Sequence, residues 1–360
     1  MQLSDGPMRR ITKSEKGIAL FLVLWVLVLL SVIVGEFCFA MRTEVNVTRN
    51  FKEQTEAYYI ALAGLNRAIG ELIRKEVVRQ KTAKKPESKM EENEEDSESQ
   101  WRMNVDIAPV SFGQGKFEVK IGNESGKINI NGANESLLKV MLNAFNIEEQ
   151  QKSVIIASIM DWRDKNDLHR LNGAEDSYYG SLPEPYECKN GDFDSVEELL
   201  MVRGVTPEIF YGGLKDIITV FKAPGKRIRF KKGYKMIPAD LNKININAAP
   251  KKVLLALPSM TDKLAQEIMD YRKESDFRAL TEVSSLVGAD VYKAISPYIT
   301  LETSPFYSIK SVGKVEGSKI RQGAKALVVI DRSLKKGYRI VQWRDGFQYL
   351  EQQPEVSEKE

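Results

Sequence analysis

The densest set of side chains able to do chemistry lies in one segment, residues 161–194. It reads DWRDKNDLHRLNGAEDSYYGSLPEPYECKNGDFD and combines glycine and proline with many carboxylates. Carboxylate oxygens converging from an irregular loop suit calcium, which takes about six to eight oxygen ligands, although the spacing is not that of an EF-hand. The alternative is a solvated acidic loop with local ion pairs, and composition by itself favours that alternative. The acidic residues of the segment are Asp161, Asp164, Asp167, Glu175, Asp176, Glu184, Glu187, Asp192 and Asp194.

The remaining composition argues against several common classes of site. A chain of 360 residues with 1 histidine and 2 cysteines is a poor candidate for a disulfide scaffold, a cysteine-rich zinc protein or a serine–histidine–acid triad. We interpret His169 as a lone surface histidine. Lysine plus arginine is 53 and aspartate plus glutamate is 50, without the basic excess typical of proteins that coat nucleic acid. The composition therefore points away from a hydrolase or a zinc enzyme, and the length suggests two or three domains.

An uncharged apolar run, Ile18 to Val34, follows a short polar segment that carries basic residues. As a helix, this run spans about 26 Å, slightly less than a bilayer's hydrocarbon core of about 30 Å. Because the basic residues precede the run, the short end should stay cytoplasmic and the rest should cross the membrane. A cleaved signal peptide and a permanent anchor are the ordinary interpretations. The residues after Val34 are bulky or charged and offer no clear signal-peptidase site.

Lys16-Gly17 followed at once by an apolar run resembles the type IV prepilin signal. The resemblance implies that a membrane peptidase cleaves after Gly17 and methylates Ile18, and that the apolar segment remains as a filament stem. Most pilins and pseudopilins have a glutamate at the fifth mature position, where it pairs with the amino terminus of a neighbouring subunit. This chain has Leu22 there. A stem without this glutamate resembles that of the largest minor pseudopilin of type II secretion, the general secretion pathway protein K family. The resemblance implies a place at the filament tip.

The positions after the stem predict a long helix and then a charged loop. Apolar residues recur at steps of three and four, so residues 41–80 should continue the helix to a total of roughly sixty residues. Residues 81–100 are charged and of low complexity, and we predict a disordered or mobile loop. The predicted apolar face comprises Tyr58, Leu62, Leu65, Ile69 and Leu72, and the other face offers Glu53, Glu56, Arg67 and Glu71.

Period-two alternation predicts strands on both sides of a long middle region. Residues 101–131 should form the first part of an antiparallel sheet. The predicted strands there cover Met103–Ile107, Phe117–Ile121 and Lys127–Ile130. Residues 304–350 should return to the same sheet, and residues 351–360 should be a flexible tail. The predicted returning strands cover Tyr307–Val315, Ala326–Ile330 and Tyr338–Trp343.

The middle of the chain contains an internal duplication. The string KINI at Lys127–Ile130 recurs at Lys243–Ile246, and IMDWR ending at Arg163 recurs as IMDYR ending at Arg272. We predict two helical modules, at about 125–221 and 241–301, with the acidic segment inserted in the first. The second module resembles the helix-hairpin-helix units of DNA-binding proteins.

The hairpins of these modules differ from the DNA-binding pattern. DNA-binding versions have a glycine-hydrophobic-glycine hairpin whose backbone amides contact phosphate. The second module instead has Leu257–Thr261 without glycine, and the first has Glu148 and Glu149 in its hairpin. We therefore interpret the duplication as a protein-binding or structural domain. The predicted fold is α/β: a pilin-like helix on an antiparallel sheet, with a large all-α domain inserted at 132–303.

The strings D-W-x-D-x-x-D and G-A-E-D-x-Y-Y also resemble the protein K family, whose helical domain binds calcium at that place. The resemblance implies a structural calcium site and an inner-membrane subunit with a periplasmic domain. It further implies as partners the I-, J- and H-type minor pseudopilins, the major pseudopilin, the prepilin peptidase and the assembly platform. The ligand set implied by the resemblance is Asp161, Asp164, Asp167, Glu175 and Asp176.

Two alternatives from other classes stay open. A membrane-anchored DNA receptor built on helix-hairpin-helix modules would bind duplex DNA in a salt-dependent manner. A minor pilin of a type IV pilus would share the stem and the sheet. The protein K hypothesis predicts instead that the chain is not an enzyme and binds no nucleic acid.

Overall fold

The computed structural model describes residues 16–84, 101–230 and 233–348. The greater part of the predicted leader 1–17, the predicted charged loop from residue 85 onward and the predicted tail 351–360 lie outside the described residues.

One helix, α1 (Lys16–Lys84), forms the beginning of the described chain. Its 69 residues exceed the predicted length because the sequence contains no proline between Pro7 and Pro86. The prediction of a disordered loop from residue 81 is therefore wrong for its first residues, which are helical.

The chain divides into two compact units, Met1–Glu56 and Ala57–Glu360. In the first unit the large apolar side chains from Leu20 to Phe39 are exposed, by 44% at Leu29 and 72% at Phe39. The described residues contain one helix that is long and apolar enough, by length and composition, to cross a membrane. This finding fits the predicted stem at residues 18–40.

In the second unit, five strands form an antiparallel sheet in the order Val110–Phe112 (β1), Gly115–Asn123 (β2), Phe306–Val315 (β9), Arg321–Ile330 (β10) and Tyr338–Gln348 (β11). The first strand that returns after the helical region, β9, pairs with β2, the sheet strand that precedes the region, so the returning strands join the same sheet, as predicted. The described strands are β1 Val110–Phe112, β2 Gly115–Asn123, β3 Ile128–Asn129, β4 Ile218–Thr219, β5 Lys226–Phe230, β6 Gly233–Ile237, β7 Ile244–Asn245, β8 Ile299–Thr300, β9 Phe306–Val315, β10 Arg321–Ile330 and β11 Tyr338–Gln348.

Two of the three strands predicted for the first part of the sheet are not part of it. Residues 101–109 form no strand, because Asn104 adopts a left-handed conformation (φ 54°) that interrupts an extended run. The segment still follows the edge of β2, since the Asn104 amide donates to the carbonyl of Ile121 at 2.7 Å. The strand at Ile128–Asn129 exists, but it pairs in parallel with β4 and not with the large sheet.

The predicted apolar face of α1 packs on this sheet. Leu65, Ile69 and Leu72 are buried, and Tyr58 and Leu62 are half-buried. Glu71 was expected on the other face but is also buried. It forms ion pairs with Arg67 at 2.7 Å and Arg74 at 2.9 Å. Pairing lowers the free-energy cost of burying this carboxylate.

Helix α1 and strand β9 approach so closely that glycine is required on both. A Cβ on Gly313 would lie 2.1 Å from the carbonyl oxygen of Ala57 and 2.5 Å from the amide nitrogen of Ala61. A Cβ on Gly64 would lie 2.5 Å from the Ser311 hydroxyl oxygen. Small residues at these positions bring the helix backbone directly against the central strand.

The helical region is inserted between β2 and β9. At its neck, the Asn123 side-chain amide donates to the carbonyl of Ser304 at 2.8 Å, and the Ser304 amide donates back to Asn123 Oδ1 at 3.2 Å. Both residues are buried. The described helices are α2 Glu135–Leu142, α3 Glu149–Arg163, α4 Asp176–Tyr179, α5 Pro207–Ile209, α6 Lys215–Ile217, α7 Lys251–Ala256, α8 Asp262–Glu274, α9 Leu280–Val287 and α10 Ala289–Ile295, with short 3₁₀ turns at Glu124–Gly126, Val196–Met201 and Ser296–Tyr298 and a π-helical turn at Phe210–Leu214.

The duplicated strings occupy equivalent positions in the two modules. Strands β3 and β4 form a parallel pair, as do β7 and β8. The Arg163 guanidinium donates to two backbone carbonyls that follow β3, and the Arg272 guanidinium donates to two that follow β7. The prediction of two related modules thus corresponds to repeated backbone geometry.

The predicted all-α character of the insertion is wrong. Besides the short parallel pairs of the two modules, strands β5 and β6 form an antiparallel hairpin between the modules. The run KRIRFKKGYKMI alternates charged and apolar residues around a glycine, which is a hairpin pattern that the helical interpretation of this region overlooked.

The helix–sheet approach yields the first testable prediction. Gly313→Ala should lower the free energy of unfolding by about 3 kcal/mol or more, because the new methyl group meets helix backbone that cannot rotate away. The matched control is Gly70→Ala, at an exposed position of the same helix with nothing within 4 Å of the added carbon. It should leave stability equal or raise it by up to about 1 kcal/mol. Urea unfolding of the detergent-solubilised chain measures both, and equal effects would contradict the close approach.

Candidate metal centre

The acidic segment begins in the last turn of α3, where Asp161 is fully buried. Its carboxylate accepts the backbone amide of Arg170 at 3.0 Å and the Arg170 guanidinium at 2.6 Å. The same guanidinium contacts Asp164 at 2.5 Å. Arg170 therefore bridges the first two acidic residues of the loop, and these contacts raise the pKa of its guanidinium.

The loop backbone closes directly onto Asp161. A Cβ on Gly173 would lie 1.9 Å from Asp161 Oδ2, so no larger residue fits there. The carbonyl of Gly173 accepts the Arg203 guanidinium at 2.9 Å. The glycine of the G-A-E-D string is thus required by the contact between the loop and the buried carboxylate.

Two residues later, Glu175 is 2% exposed, and neither of its carboxylate oxygens has an N–H or O–H donor among the described residues. Burial raises the pKa of Glu175, a contact with the Cys188 thiol lowers it, and the charges of Asp161, Asp164 and Asp167 raise it further. A buried carboxylate with only a weak thiol donor is unfavourable unless a cation or a proton compensates it.

A second unpartnered oxygen belongs to Asn190, which the sequence analysis did not select. Its Oδ1 is buried without a partner among the described residues, while its Nδ2 donates to Asp167 at 2.8 Å. Asn190 adopts a left-handed conformation, φ 50°. An amide oxygen is an ordinary calcium ligand, so the N-G dipeptide at the end of the acidic segment was the available signal.

Four of the five predicted ligands lie close enough to interact electrostatically, because the charges of Asp161, Asp164 and Asp167 all raise the pKa of Glu175. The fifth, Asp176, is exposed, and its Oδ1 accepts the backbone amide of Cys188 at 2.6 Å. His169 is exposed, in agreement with its interpretation as a lone surface histidine.

An aromatic cluster holds the two ends of the segment together. The Trp162 ring contacts Tyr179 edge-on with centroids 5.2 Å apart and lies 6.3 Å from both Tyr186 and Phe193. Trp162, Tyr179 and Phe193 are buried. The backbone carrying the acidic residues is therefore fixed by packing, which limits how far the carboxylates can separate.

The acidic segment supplies carboxylate and amide oxygens, which are the donors that calcium takes. Among the described residues, no three histidine, cysteine, aspartate or glutamate side chains surround a common point. Arg170 occupies the space between Asp161 and Asp164, and its side chain is 39% exposed. Oxygen donors of this kind are the ones that calcium takes, and the Arg170 guanidinium lies between two of the predicted ligands.

The predicted processing site lies at the start of α1. Gly17 and Ile18 are helical, but their side chains lie outside the described residues. Leu22 is 55% exposed on this helix. Cys38 and Cys188 are both free thiols.

Residues 117–223 match the model of the family described as type II secretion system (T2SS), protein K. This range runs from β2 through the first helical module and includes the whole acidic segment.

Three relatives carry the same name. A type II secretion system protein K of Pectobacterium carotovorum subsp. carotovorum is 25% identical over 149 residues, which is 40% of this chain and 40% of that protein. The putative protein K of Escherichia coli K12 is 22% identical over 83% of this chain and 91% of its own length. The Aeromonas hydrophila protein K is 23% identical over 70% and 73%.

A solved structure shares the fold. The GspK-GspI-GspJ complex of the enterotoxigenic Escherichia coli type 2 secretion system contains a chain that matches with a TM-score of 0.51 at 15% identity. The match covers 83% of this chain and 99% of that one. The matched domain, the shared name of these relatives and the common fold make this chain similar to type II secretion system protein K.

Proposed function

We propose that this chain is the minor pseudopilin that caps the tip of a type II secretion pseudopilus and helps to initiate its assembly. The observation that carries the proposal is the insertion of a whole two-module helical domain between neighbouring strands of a pilin-like sheet. Such a domain adds bulk beside the helix and sheet that a repeating filament shaft would have to accommodate in every subunit. A subunit of this kind fits best where no further subunit has to be added above it.

The stem supports the same place in the filament. Cleavage after Gly17 would make Leu22 the fifth mature residue, and its side chain carries no charge to pair with a neighbouring amino terminus. A tip subunit has no neighbour above it that needs such a pair. The exposed apolar side chains of residues 20–39 suit packing within a bilayer first and against other stems afterwards.

The partners follow from this position. The related chain of known structure is part of a complex with GspI and GspJ. We propose that this chain binds the corresponding I- and J-type minor pseudopilins, with the H-type and major pseudopilins below them. The prepilin peptidase and the inner-membrane assembly platform would act on it earlier, and its C-terminal domain would lie in the periplasm. The role is structural, in keeping with a family that forms part of the secretion apparatus.

The processing step can be tested on the terminus. The intact mass of the chain from its native membrane should correspond to a chain that begins at Ile18 with a methylated amino group. Gly17→Asp should abolish cleavage and leave the chain starting at Met1, while Gly35→Ala, beyond the cleavage site, should be processed normally. A wild-type chain that still begins at Met1 would argue for a simple anchor and would favour the DNA-receptor alternative.

Assembly can be tested by co-purification. The chain should co-purify from detergent with I- and J-type pseudopilins in defined stoichiometry, and pseudopili should carry it at one end only. Distribution along the whole filament would contradict the capping role. Binding of duplex DNA at low salt, lost as salt rises, would instead support the DNA receptor. Genes of an adhesive pilus beside this one would favour the type IV pilin.

We further propose that the acidic segment binds calcium as a structural ion. Asp161, Asp164, Asp167 and Glu175 would supply carboxylate oxygens, Asn190 an amide oxygen, and Asp176 would hold the loop in place. When bound, calcium would compensate the negative charge of the buried Glu175 carboxylate. The loop would then be held by metal contacts as well as by the aromatic cluster around Trp162.

Calcium at a hundredfold excess over Kd should therefore stabilise the folded chain by about 2.7 kcal/mol. The melting temperature should accordingly be higher in calcium than in chelator. Glu175→Gln should lose most of this shift, because it removes the unpartnered buried charge. The control Glu184→Gln makes the same change at an exposed position of the same segment and should keep the shift. An equal calcium response in all three proteins would contradict the site.

In chelator, where no calcium compensates it, the charge of Glu175 should destabilise the folded chain. Because its folded pKa is raised above the usual 4.5, ionisation of Glu175 costs no stability below that pH and destabilises the folded state as the pH rises through it. Glu175→Gln should then melt about 2 °C or more above the wild type at pH 7.5 and at the same temperature at pH 4. A metal-free variant that is less stable at pH 7.5 would show that Glu175 has an ordinary structural partner.

A further inference from the structure

One nitrogen atom of Arg170 lies between two of the carboxylates proposed to bind calcium. Its Nη1 is 2.6 Å from Asp161 Oδ1 and 2.5 Å from Asp164 Oδ2. Calcium lies about 2.3–2.6 Å from its oxygen ligands. The guanidinium nitrogen therefore marks a point from which a single calcium ion could contact the same two oxygens.

The second oxygen of each carboxylate is held by other groups. Asp161 Oδ2 accepts the backbone amide of Arg170 at 3.0 Å. Asp164 Oδ1 accepts the backbone amide of Asn166 at 3.1 Å and the side-chain amide of the same residue at 2.6 Å. The orientation of both carboxylates is thus supported by hydrogen bonds that do not involve the guanidinium. Both oxygens that contact Nη1 would keep their direction if the guanidinium left.

Asp161 depends on Arg170 for the compensation of its charge. Every hydrogen bond to this carboxylate among the described residues comes from Arg170. Asp161 is fully buried, and a buried charge that loses its partner strongly destabilises a folded protein. The folded chain therefore needs a cation at this point whenever Asp161 is ionised.

Arg170 has access to water that Asp161 lacks. Its side chain is 39% exposed, whereas the Asp161 side chain is 0% exposed. A cation near the surface regains its hydration at little cost when it leaves an ion pair. The hydrogen bond from the backbone amide of Arg170 would still attach the residue to Asp161 after its side chain had moved.

The guanidinium compensates only part of the negative charge of the acidic segment. It contacts Asp161 and Asp164, while Asp167 is exposed and Glu175 is buried without an N–H or O–H donor among the described residues. Calcium carries two charges and takes about six to eight oxygen ligands. The ion can therefore use carboxylates that the guanidinium leaves out, which favours calcium where it is available.

We propose that Arg170 competes with calcium: its guanidinium occupies the position of the ion in the calcium-free chain and is displaced when calcium binds. The inference rests on the proposed calcium site and adds the residue that sets its affinity. A binding-competent state that is only partly populated weakens the apparent affinity in proportion. Arg170 would thus keep the loop folded without calcium and raise the calcium concentration at which the ion replaces it.

The competing explanation is a permanent ion pair, in which Arg170 stays between Asp161 and Asp164 while calcium binds elsewhere in the segment. The two explanations differ in one measurable respect. A permanent pair stabilises the folded chain both with and without calcium. A guanidinium that calcium displaces stabilises only the calcium-free chain.

The test compares Arg170→Gln with the wild type, as full chains in detergent, in chelator and in saturating calcium. In chelator the variant should melt about 3 °C or more below the wild type, because Asp161 loses its counter-ion. In saturating calcium the two proteins should melt at the same temperature. The variant should then bind calcium about tenfold more tightly in a calorimetric titration, since the competing cation is gone.

The matched control is Lys165→Gln, which removes the same charge from an exposed position of the same loop. It should change the melting temperature by no more than about 1 °C in either buffer and leave the calcium affinity nearly unchanged. An equal gain in affinity in both variants would overturn the proposal, because it would reflect net charge alone.

A second variant covers the case in which Arg170→Gln does not fold in chelator. Arg170→Lys keeps the charge on a head group with fewer donors. It should show the same pattern with a smaller loss, melting below the wild type in chelator and with it in saturating calcium.

A deficit of Arg170→Gln that persists in saturating calcium, or weaker calcium binding by this variant, would overturn the proposal and identify a permanent ion pair. The calcium site itself would stand in that case, because the wild type would still respond to calcium. The absence of a calcium response in the wild type and the variant alike would overturn the calcium site and this inference with it. The wild-type response therefore distinguishes the two failures.

Discussion

The pairing of β2 with β9 is the contact on which the rest of this structure depends. The two strands pair from Gly115 opposite Val315 to Asn123 opposite Tyr307, although the whole helical domain separates them along the chain. The entropic cost of closing so long a loop is moderate because it grows only slowly with loop length. The insertion also has its own buried core, so most of its residues are ordered by their own contacts. The reciprocal hydrogen bonds of Asn123 and Ser304 fix the point where the chain leaves and re-enters the sheet.

The same pairing sets the two faces of β9. One face takes Gly313 against the backbone of α1, and the other aligns Lys310 with cations on both neighbouring strands. A shift of one residue would exchange these faces and place lysines against the helix. Register therefore determines both the close packing of β9 on α1 and the alignment of cations across the sheet.

A poorly compensated buried charge occurs in the acidic segment. Glu175 is a buried carboxylate that has no N–H or O–H donor among the described residues, and its burial raises its pKa. The backbone there is held by other contacts, namely the aromatic cluster around Trp162. Packing and backbone hydrogen bonds can hold an unfavourable charge in place, and a ligand of opposite charge then gains binding energy from it.

Local pattern determined much of this protein. The apolar run, the helical period of Leu65, Ile69 and Leu72, and the alternation in β9 to β11 are properties of neighbouring residues, and they predicted the helix and the returning strands. The duplicated strings predicted the paired modules because identical residues make identical local contacts, as Arg163 and Arg272 do. The carboxylates of the acidic segment were also evident from composition.

What only the tertiary structure decided depends on residues far apart in the chain. The left-handed Asn104 ended a strand that alternation predicted, and β3 paired with β4 because the module, and not the sheet, supplied its partner. That the Asn190 Oδ1 is buried, and that Lys310 lies beside cations of two other strands, follows only from the fold. Sequence patterns report the periodicity of one segment, whereas burial and register arise from contacts between segments, and those contacts exist only in the folded chain.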